Sequence, residues 1–497
     1  MDLCRKLIST MMKYLILFPL YFLVLPASAG FFEGVKEVLN KIPSSVQSAS
    51  STNASLIKVS ASENGLPAHW QAYYLDEPEF NGKVFLAEAG PKSAPVVFLI
   101  HGLGQNGLRD WISAVPALEK NYRVVMLDLP GFANSGQPSA KLDPTRYSNL
   151  LHFIKPYFSA APVAVVGHSM GGAVALRYTF AYPTDVKHLL LVDAAGILQR
   201  TAFVKQNLTD RVAVEQLDAA NPLLGFAVGL QDVSTFLVEK LLNLSDPTVW
   251  LGDSDLTWGT ALKSQPNINA ALGLLEEDFS RAIYELPQPV SILWGSNDLV
   301  APVRTSQLLV GNVKRASLTM IEGAGHMPMS SHTDQFNQWL KTALKGDQGY
   351  SRVAETLSVE QFSKPENYSC NNAAGGVVTG AFNQVVISEC TGITLQHVSA
   401  KTIVIKNSVV QMNDVTVLDS AVSLKISDST LLATASSFNG SLEVEHSRLD
   451  LAGVNFRGEK PFTVGIQSRL ILSVSRTQFN GSVRYLHQDI LLEKTQY

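Results

Sequence analysis

Short apolar runs alternate with stretches of helical periodicity between about residues 66 and 346. The runs that we predict as strands are 83–88, 96–100, 123–127, 163–166, 189–192, 290–294 and 317–321. Several of them are apolar without a break, which is typical of strands that are buried on both faces. Helical periods lie between them, for instance at 172–180 and 333–344. This order predicts an α/β domain in which helices cover a parallel sheet.

One interval, 197–287, breaks this alternation. It is helical in pattern and rich in Leu, Val and Phe, and it predicts a cap inserted over the carboxyl edge of the sheet. Its runs 219–230 and 233–244 are strongly apolar and include Phe226 and Phe236. Apolar side chains above a reaction site would suit an acyl chain. The alternative is that they only pack the core of the cap itself.

The period changes again in the last region, 347–497. Short β-type runs recur at spacings of 18, 21 and 18 residues, beginning at Val385, Ile403, Leu424 and Leu442. A second series runs in step at spacings of 18 and 23, with Phe438, Phe456 and Phe479. Repeats of this length predict a stacked parallel β-solenoid, in which each rung buries its apolar side on the next. An antiparallel β-sandwich is the alternative, because its short strands have a similar pattern.

The first 29 residues predict a signal peptide. Basic residues precede an apolar run at 14–25, and the small residues 27–29 come directly before Gly30. An uncleaved membrane anchor is the alternative, but the run is short for a spanning helix and prolines interrupt it. We therefore expect export to the periplasm or the medium. The segment 30–65 then predicts a short amphipathic helix followed by a Ser-rich linker.

The composition limits the classes of protein to which the chain can belong. The chain has 497 residues, of which 46% are hydrophobic and only 16% charged, with a formal net charge of −4. Near-balanced charge argues against a nucleic-acid partner, which would select a basic face. The apolar content excludes a disordered chain, and the lack of several long apolar runs excludes a multispanning membrane protein.

Cysteine usage agrees with export. Cys4 lies in the predicted signal peptide, so Cys370 and Cys390 are the two cysteines of the mature chain. Two cysteines in an exported chain predict one disulfide, and two buried thiols are the alternative.

The chemistry concentrates around Ser169. The sequence 167–171 is Gly-His-Ser-Met-Gly; it follows an apolar strand and precedes a helical stretch. This is the G-x-S-x-G pattern in its strand–turn–helix context, where a sharp turn exposes the serine hydroxyl above the sheet. The motif predicts that Ser169 is a nucleophile.

A serine hydroxyl needs a base, and the base needs an orienting acid. His326 lies in a loop after the last predicted strand and is the candidate base. Asp298, in the loop after strand 290–294, is the preferred acid because it follows the serine and precedes the histidine. Asp193 also ends a strand and is the competitor; its other interpretation is a turn cap. Asp128 precedes the serine, so we interpret it as structural.

The oxyanion of the tetrahedral intermediate needs backbone donors. His101-Gly102-Leu103-Gly104 follows the strand 96–100. The N–H groups of Leu103 and Met170 are the candidates for the oxyanion hole, and the same glycines also suit a tight turn.

These motifs together make the stretch 66–346 resemble the α/β-hydrolase superfamily, in its cap-bearing esterase and lipase branch. The resemblance implies an eight-stranded, mostly parallel sheet, a Ser-His-Asp triad of Ser169, His326 and Asp298, and no cofactor or metal. It does not fix the substrate, because relatives cleave many kinds of bond. The region 347–497 loosely resembles a right-handed parallel β-helix of the pectate-lyase type.

Three functions compete. The first is an exported serine hydrolase that cleaves an apolar ester or lipid through an acyl-enzyme. The second keeps the fold but cleaves amide, peptide or C–C bonds. The third is a surface-binding protein that acts through the solenoid, by contact with a glycan or a cell surface. The presence of nucleophile, base, acid and oxyanion loop together favours the enzymes.

Overall fold

The computed structural model describes residues 55–203, 254–346 except 263, and 366–492 except 419–420 and 459. The predicted signal peptide, the segment 30–54 and most of the cap, including Phe226 and Phe236, lie outside the described residues. All the described residues belong to one compact unit that begins at Ala54.

The N-terminal part is built on a sheet of nine described strands. These are β1 Ile57–Val59, β2 Gln71–Glu77, β3 Gly82–Ala89, β4 Val96–Ile100, β5 Arg123–Asp128, β6 Val163–His168, β7 Val186–Val192, β8 Val290–Gly295 and β9 Ala316–Ile321. Their order in the sheet is β1-β2-β3-β5-β4-β6-β7-β8-β9. The pairs that involve β1, β2 and β3 are antiparallel, and the remaining pairs are parallel.

All seven predicted strands are present, and the α/β architecture with a mostly parallel sheet is confirmed. The sheet has nine strands rather than the eight implied by the resemblance, because Ile57–Val59 adds a short strand at one edge. The strands β1 and β2 were not predicted. Their sequences, IKV and QAYYLDE, mix polar and apolar residues and lack the continuous apolar run of a central strand.

Helices cover both faces of the sheet. The described α-helices are α1 Val115–Leu118, α2 Pro144–Ile154, α3 Met170–Ala181, α4 Asp255–Ala261, α5 Pro266–Leu275, α6 Ser280–Glu285, α7 Arg304–Asn312, α8 Pro328–Ser331 and α9 Thr333–Lys345. Alternate residues of each strand pack into different cores: Phe98 and Ile100 face one, and Val97 and Leu99 face the other. Burial on both faces explains why the central strands are apolar throughout.

The C-terminal region, residues 366–492, is one large wound sheet. Its strands are β10 Glu366–Asn371, β11 Ala374–Ser388, β12 Thr391–Lys406, β13 Val409–Asn413, β14 Thr416–Val417, β15 Val422–Ser427, β16 Thr430–Thr434, β17 Ser437–Phe438, β18 Ser441–Glu445, β19 Arg448–Ala452, β20 Asn455–Arg457, β21 Phe462–Val464, β22 Ser468–Phe479 and β23 Ser482–Leu492. All the described pairings are parallel except that of β22 with β23. Parallel pairing argues against the antiparallel sandwich.

The register of this sheet follows the predicted repeat. Val385 pairs with Ile403, Ile403 with Leu424, and Leu424 with Leu442. The sheet closes on itself around a core of its own, and its likeness to the pectate-lyase type stays a prediction.

The second predicted series is wrong at its last member. Phe438 pairs with Phe456, but Phe456 pairs with Thr477 and not with Phe479. Phe479 instead pairs with Ser482 at the start of the antiparallel strand β23. Its spacing of 23 residues therefore marks the end of the parallel winding and not another repeat.

The predicted disulfide is present. Cys370 in β10 is bonded to Cys390, which lies between β11 and β12. The bond ties the first described strand of the C-terminal region to the next turn of the sheet. Within the described residues, no helix has both the length and the apolar character needed to cross a membrane.

Candidate active site

The turn at Ser169 forms as the glycine pattern predicts. β6 ends at His168, α3 begins at Met170, and Ser169 between them has φ 53° and ψ −123°. A Cβ on Gly167 would lie 2.1 Å from the carbonyl oxygen of Gly171. A Cβ on Gly171 would lie 2.3 Å from the carbonyl oxygen of Ile100. Only glycine fits these two close approaches, so the motif is required by the packing of strand, turn and helix.

The structure brings Ser169, His326 and Asp298 into one hydrogen-bonded chain. The Oγ of Ser169 lies 2.9 Å from Nε2 of His326, and Nδ1 of His326 lies 2.8 Å from Oδ2 of Asp298. All three residues are buried, with 3–5% of their surface exposed. With a proton on Nδ1, the imidazole donates to the carboxylate and can accept the serine proton on Nε2.

The carboxylate of Asp298 is held by the backbone of its own loop. Oδ1 of Asp298 accepts hydrogen bonds from the N–H groups of Val300 at 2.8 Å and Ala301 at 3.0 Å. Together with Nδ1–H of His326, three donors therefore converge on this carboxylate. Such donors stabilise the charged form and fix its direction.

Two further histidines support the site as neutral groups. Nε2–H of His168 donates to the carbonyl oxygen of His326 at 2.7 Å, and so holds the loop that carries the predicted base. Nδ1–H of His101 donates to the carbonyl of Gly102, while its Nε2 accepts from the N–H of Leu129. Burial lowers the pKa of His101 to about 4 and that of His168 to about 3.

The burial of His101 predicts a pH dependence of stability. Its pKa rises from about 4 in the folded chain to the ordinary 6.5 on unfolding. Below pH 6.5 the unfolded chain therefore binds a proton that the folded chain does not, and the free energy of unfolding falls towards pH 4. Between pH 7 and pH 5 we expect this residue to contribute a loss on the order of 2 kcal/mol.

Urea unfolding of the wild type and of His101→Gln at the two pH values measures this contribution. The variant is expected to show a smaller loss on acidification even where it is less stable throughout. Equal losses in the two proteins would contradict the assignment. Asp128, whose pKa burial raises to about 6, acts in the opposite direction, but it is present in both proteins and cancels in the comparison.

The predicted oxyanion loop lies beside Ser169. A Cβ on Gly102 would lie 2.8 Å from Cβ of Ser169, so the loop that contains Leu103 packs directly against the serine. Met170 is the residue after Ser169 and is buried at the start of α3. The N–H of Gly104 donates to Oδ1 of Asn267 at 3.0 Å, which fastens this loop to the described part of the cap. The roles of Leu103 and Met170 as oxyanion donors stay predictions.

The other two aspartates have separate places. Asp128 accepts from the N–H groups of Leu108 and Asn134, and it orders the loops after β4 and β5. Asp193 lies at the end of β7 and makes no direct hydrogen bond to His326 in the structure; its Oδ1 accepts from the N–H of Gly295. Among the described residues, no cluster of three His, Cys, Asp or Glu side chains could hold a metal ion.

The sequence did not reveal His168 and Asn267 as parts of the site. Their partners are 158 and 163 residues away along the chain. No local motif signals such contacts, although His168 occupies the variable position directly before the nucleophile.

Comparison with known proteins agrees with the sheet and the turn. Residues 95–333 match the family model for the alpha/beta hydrolase fold, a stretch that contains β4 to β9 and all three residues of the hydrogen-bonded chain. An uncharacterized protein of Mycobacterium tuberculosis is 27% identical over 259 residues, which are 49% of this chain and 73% of that protein.

Two further relatives are named as a lipase and as a hydrolase of a dienoic acid. Lipase 1 of Psychrobacter immobilis is 27% identical over 256 residues, which are 51% of this chain and 78% of the lipase. The 2-hydroxy-6-oxo-6-(2'-aminophenyl)hexa-2,4-dienoic acid hydrolase of Metapseudomonas resinovorans is 26% identical over 261 residues, which are 50% of this chain and 83% of that enzyme.

Proposed function

We propose, on the premise that residues 95–333 have the alpha/beta hydrolase fold, that the chain is an exported serine hydrolase that cleaves carboxylic esters. The observation that carries the proposal is the hydrogen-bonded chain from Ser169 through His326 to Asp298, set at the turn between β6 and α3. The three side chains are already hydrogen-bonded in the order that a nucleophile, a base and an acid require.

The mechanism that these residues support has two halves. Ser169 Oγ attacks the ester carbonyl as His326 Nε2 takes its proton, and the resulting imidazolium is stabilised by Asp298. The N–H groups of Leu103 and Met170 would hold the oxyanion. His326 then gives the proton to the leaving alcohol, which leaves an acyl group on Ser169. Water, activated by the same imidazole, releases the acid and restores the serine.

An apolar acyl or lipid ester is the substrate class that we propose. The apolar runs of the predicted cap, at 219–230 and 233–244, would suit an acyl chain. The similarity to a lipase supports the same class. The absence of a basic cluster from the predicted cap sequence speaks against a polyanionic substrate.

Export to the periplasm or the medium is part of the proposal. It is supported by the predicted signal peptide and by the disulfide between Cys370 and Cys390, which persists in an oxidising compartment. For the C-terminal region we propose contact with a glycan or a cell surface, which would place the hydrolase near its substrate.

Hydrolysis of chromogenic esters of increasing acyl length tests the substrate class. The mature chain from Gly30, produced with its disulfide, is expected to hydrolyse these esters, with kcat/KM rising with acyl length to an optimum. Each buried methylene contributes about 0.8 kcal/mol, so two added methylenes should raise kcat/KM on the order of tenfold until the site is filled. Hydrolysis without dependence on acyl length would contradict the apolar site.

The second candidate is a hydrolase of C–C bonds, which the similarity to the dienoic acid hydrolase favours. A folded protein that cleaves no ester, but cleaves a vinylogous diketo acid with loss of activity on substitution of Ser169, would establish that chemistry. Amide and peptide substrates belong in the same series. A chain that binds cell surfaces and never reacts with a serine-directed phosphonate would indicate the binding function instead.

A further inference from the structure

Asp193 occupies a junction between the nucleophile and the acid. Its N–H donates to the carbonyl of Leu293 in β8. Two neighbouring residues bond to Ser169: the carbonyl of Val192 accepts from the N–H of Ser169, and the N–H of Ala195 donates to the carbonyl of Ser169. The φ of Asp193 is 44°, in the left-handed region that aspartate and asparagine tolerate better than most residues. The side chain is fully buried. A buried carboxyl at this junction has no role in the mechanism described above.

Asp193 and Asp298 are both bonded to Gly295: Oδ1 of Asp193 accepts from the N–H of Gly295, and the N–H of Asp298 donates to the carbonyl of Gly295. Two deeply buried carboxylates at neighbouring strand ends repel each other when both are charged, which favours a proton on one of them. The question is which of the two carries it.

The number of hydrogen-bond donors around each carboxyl group indicates which of the two is protonated. Asp298 receives three hydrogen bonds, from the N–H groups of Val300 and Ala301 and from Nδ1–H of His326. Asp193 receives one, from the N–H of Gly295, and its Oδ2 is buried without a bond from any N–H or hydroxyl donor among the described residues. Donors stabilise the charged form, so the charge belongs to Asp298.

We propose that Asp193 is a protonated carboxylic acid at neutral pH, and that its Oδ2–H donates to the carboxylate of Asp298. It is a positioning residue that supplies Asp298 with a fourth donor and leaves a single negative charge facing His326. The inference rests on the proposed function only in the role that it gives to Asp298.

The charges around the pair agree with this assignment. Asp298 is the charged group that acts on Asp193, and no described arginine or lysine forms an ion pair with either carboxylate. Burial first, and the negative charge of Asp298 second, raise the pKa of Asp193 well above its ordinary value. His326 bonds to Oδ2 of Asp298, and no hydrogen bond joins it to Asp193 in the described structure.

Infrared difference spectroscopy tests the proton directly and needs no substrate. At pH 8 the wild type minus Asp193→Asn spectrum is expected to show the C=O stretching band of a protonated carboxylic acid. Asp128→Asn is the matched control: Asp128 is also buried, but its pKa of about 6 leaves it ionised at pH 8, so its difference spectrum should lack that band. Absence of the band from the Asp193 difference spectrum would overturn the proposal, whether or not an ester is cleaved.

The pH profile of kcat/KM tests the hydrogen bond. Asp193→Asn keeps a donor and a neutral group, so the acidic limb of its profile should coincide with that of the wild type. Asp193→Gly suits the positive φ but removes the donor, and we expect kcat/KM to fall on the order of tenfold or more, with the acidic limb moved to higher pH. The Asn variant should recover most of that loss.

A charged Asp193 would give a different result. Its conversion to asparagine would remove a negative charge near His326 and move the acidic limb to lower pH, which would overturn the proposal. If neither variant folds, Ser169→Ala, which retains both carboxyl groups, is expected to show the band of a protonated carboxylic acid at pH 8, and the absence of any such band would overturn the proposal.

Discussion

Replacing Ser169 by alanine is expected to lower kcat/KM for the best ester by about 10⁴-fold or more. The change removes the atom that would form the acyl-enzyme, and neither His326 nor Asp298 can replace it. The turn should survive, because alanine is smaller than serine and the close approaches at Gly167 and Gly171 are unchanged. Activity that remains above the uncatalysed rate would come from oxyanion binding and substrate positioning alone.

A serine-directed phosphonate provides the second measurement. The wild type should gain the mass of one phosphonyl group on Ser169, and Ser169→Ala should gain none. Ser148→Ala is the matched control, because Ser148 is equally buried but bonds only to the carbonyl of Thr145 in α2. It should retain both labelling and activity. A Ser169→Ala protein that still hydrolyses the ester would show that the nucleophile lies elsewhere.

Local motifs made the turn at Ser169 predictable, whereas the hydrogen bond between Asp298 and His326 became visible only in the structure. The glycines around Ser169 are dictated by contacts within a few residues and with the neighbouring strand, so the sequence carries their signal. Asp193 and Asp298 follow β7 and β8, which are adjacent parallel strands. Their carboxyl ends meet at one edge, and both aspartates therefore lie near the histidine loop. Chain order favoured Asp298, but it could not show that both aspartates bond to Gly295.

The fold was predictable where burial is uniform or the pattern repeats. The central strands are buried on both faces, and their apolar runs identify them. In the C-terminal region the repeated apolar positions predicted the register of β11, β12, β15 and β18 residue by residue. The prediction failed at Phe479, because an antiparallel partner replaces the next parallel strand there. A repeat of apolar positions does not indicate where the parallel winding ends.

The packing of the C-terminal sheet on the hydrolase could not be predicted from the sequence either. Tyr284 in α6 donates to the carbonyl of Val474, and the N–H of Gln199 donates to Oγ of Ser473. These contacts hold both described flanks of the cap segment. The core of the hydrolase also includes Ile471 and Val474. The two parts therefore share buried surface, and the C-terminal sheet contributes apolar side chains to the core of the hydrolase part.

A buried ion pair crosses the same interface next to the loop that contains Asp298. Arg304 begins α7, shortly after Asp298, and its Nη1 lies 2.9 Å from Oδ2 of Asp450 in β19. The same guanidinium also donates to Oγ1 of Thr434 and to the carbonyl of Ala433. The two ionic side chains are 7% and 5% exposed. Water therefore cannot solvate either charge once its partner is removed.

Arg304→Met is expected to lower the free energy of unfolding by about 3–5 kcal/mol, because it leaves the carboxylate of Asp450 buried without a counterion. The double variant Arg304→Met/Asp450→Leu removes both charges and keeps a similar volume, so it should recover most of that loss. Urea unfolding of the three proteins measures both effects. A double variant as unstable as the single one would mean that shape, and not charge, holds the interface. Recovery would instead show that the unpaired charge is the main cost, and that α7 stays docked beside the acid loop without the ion pair.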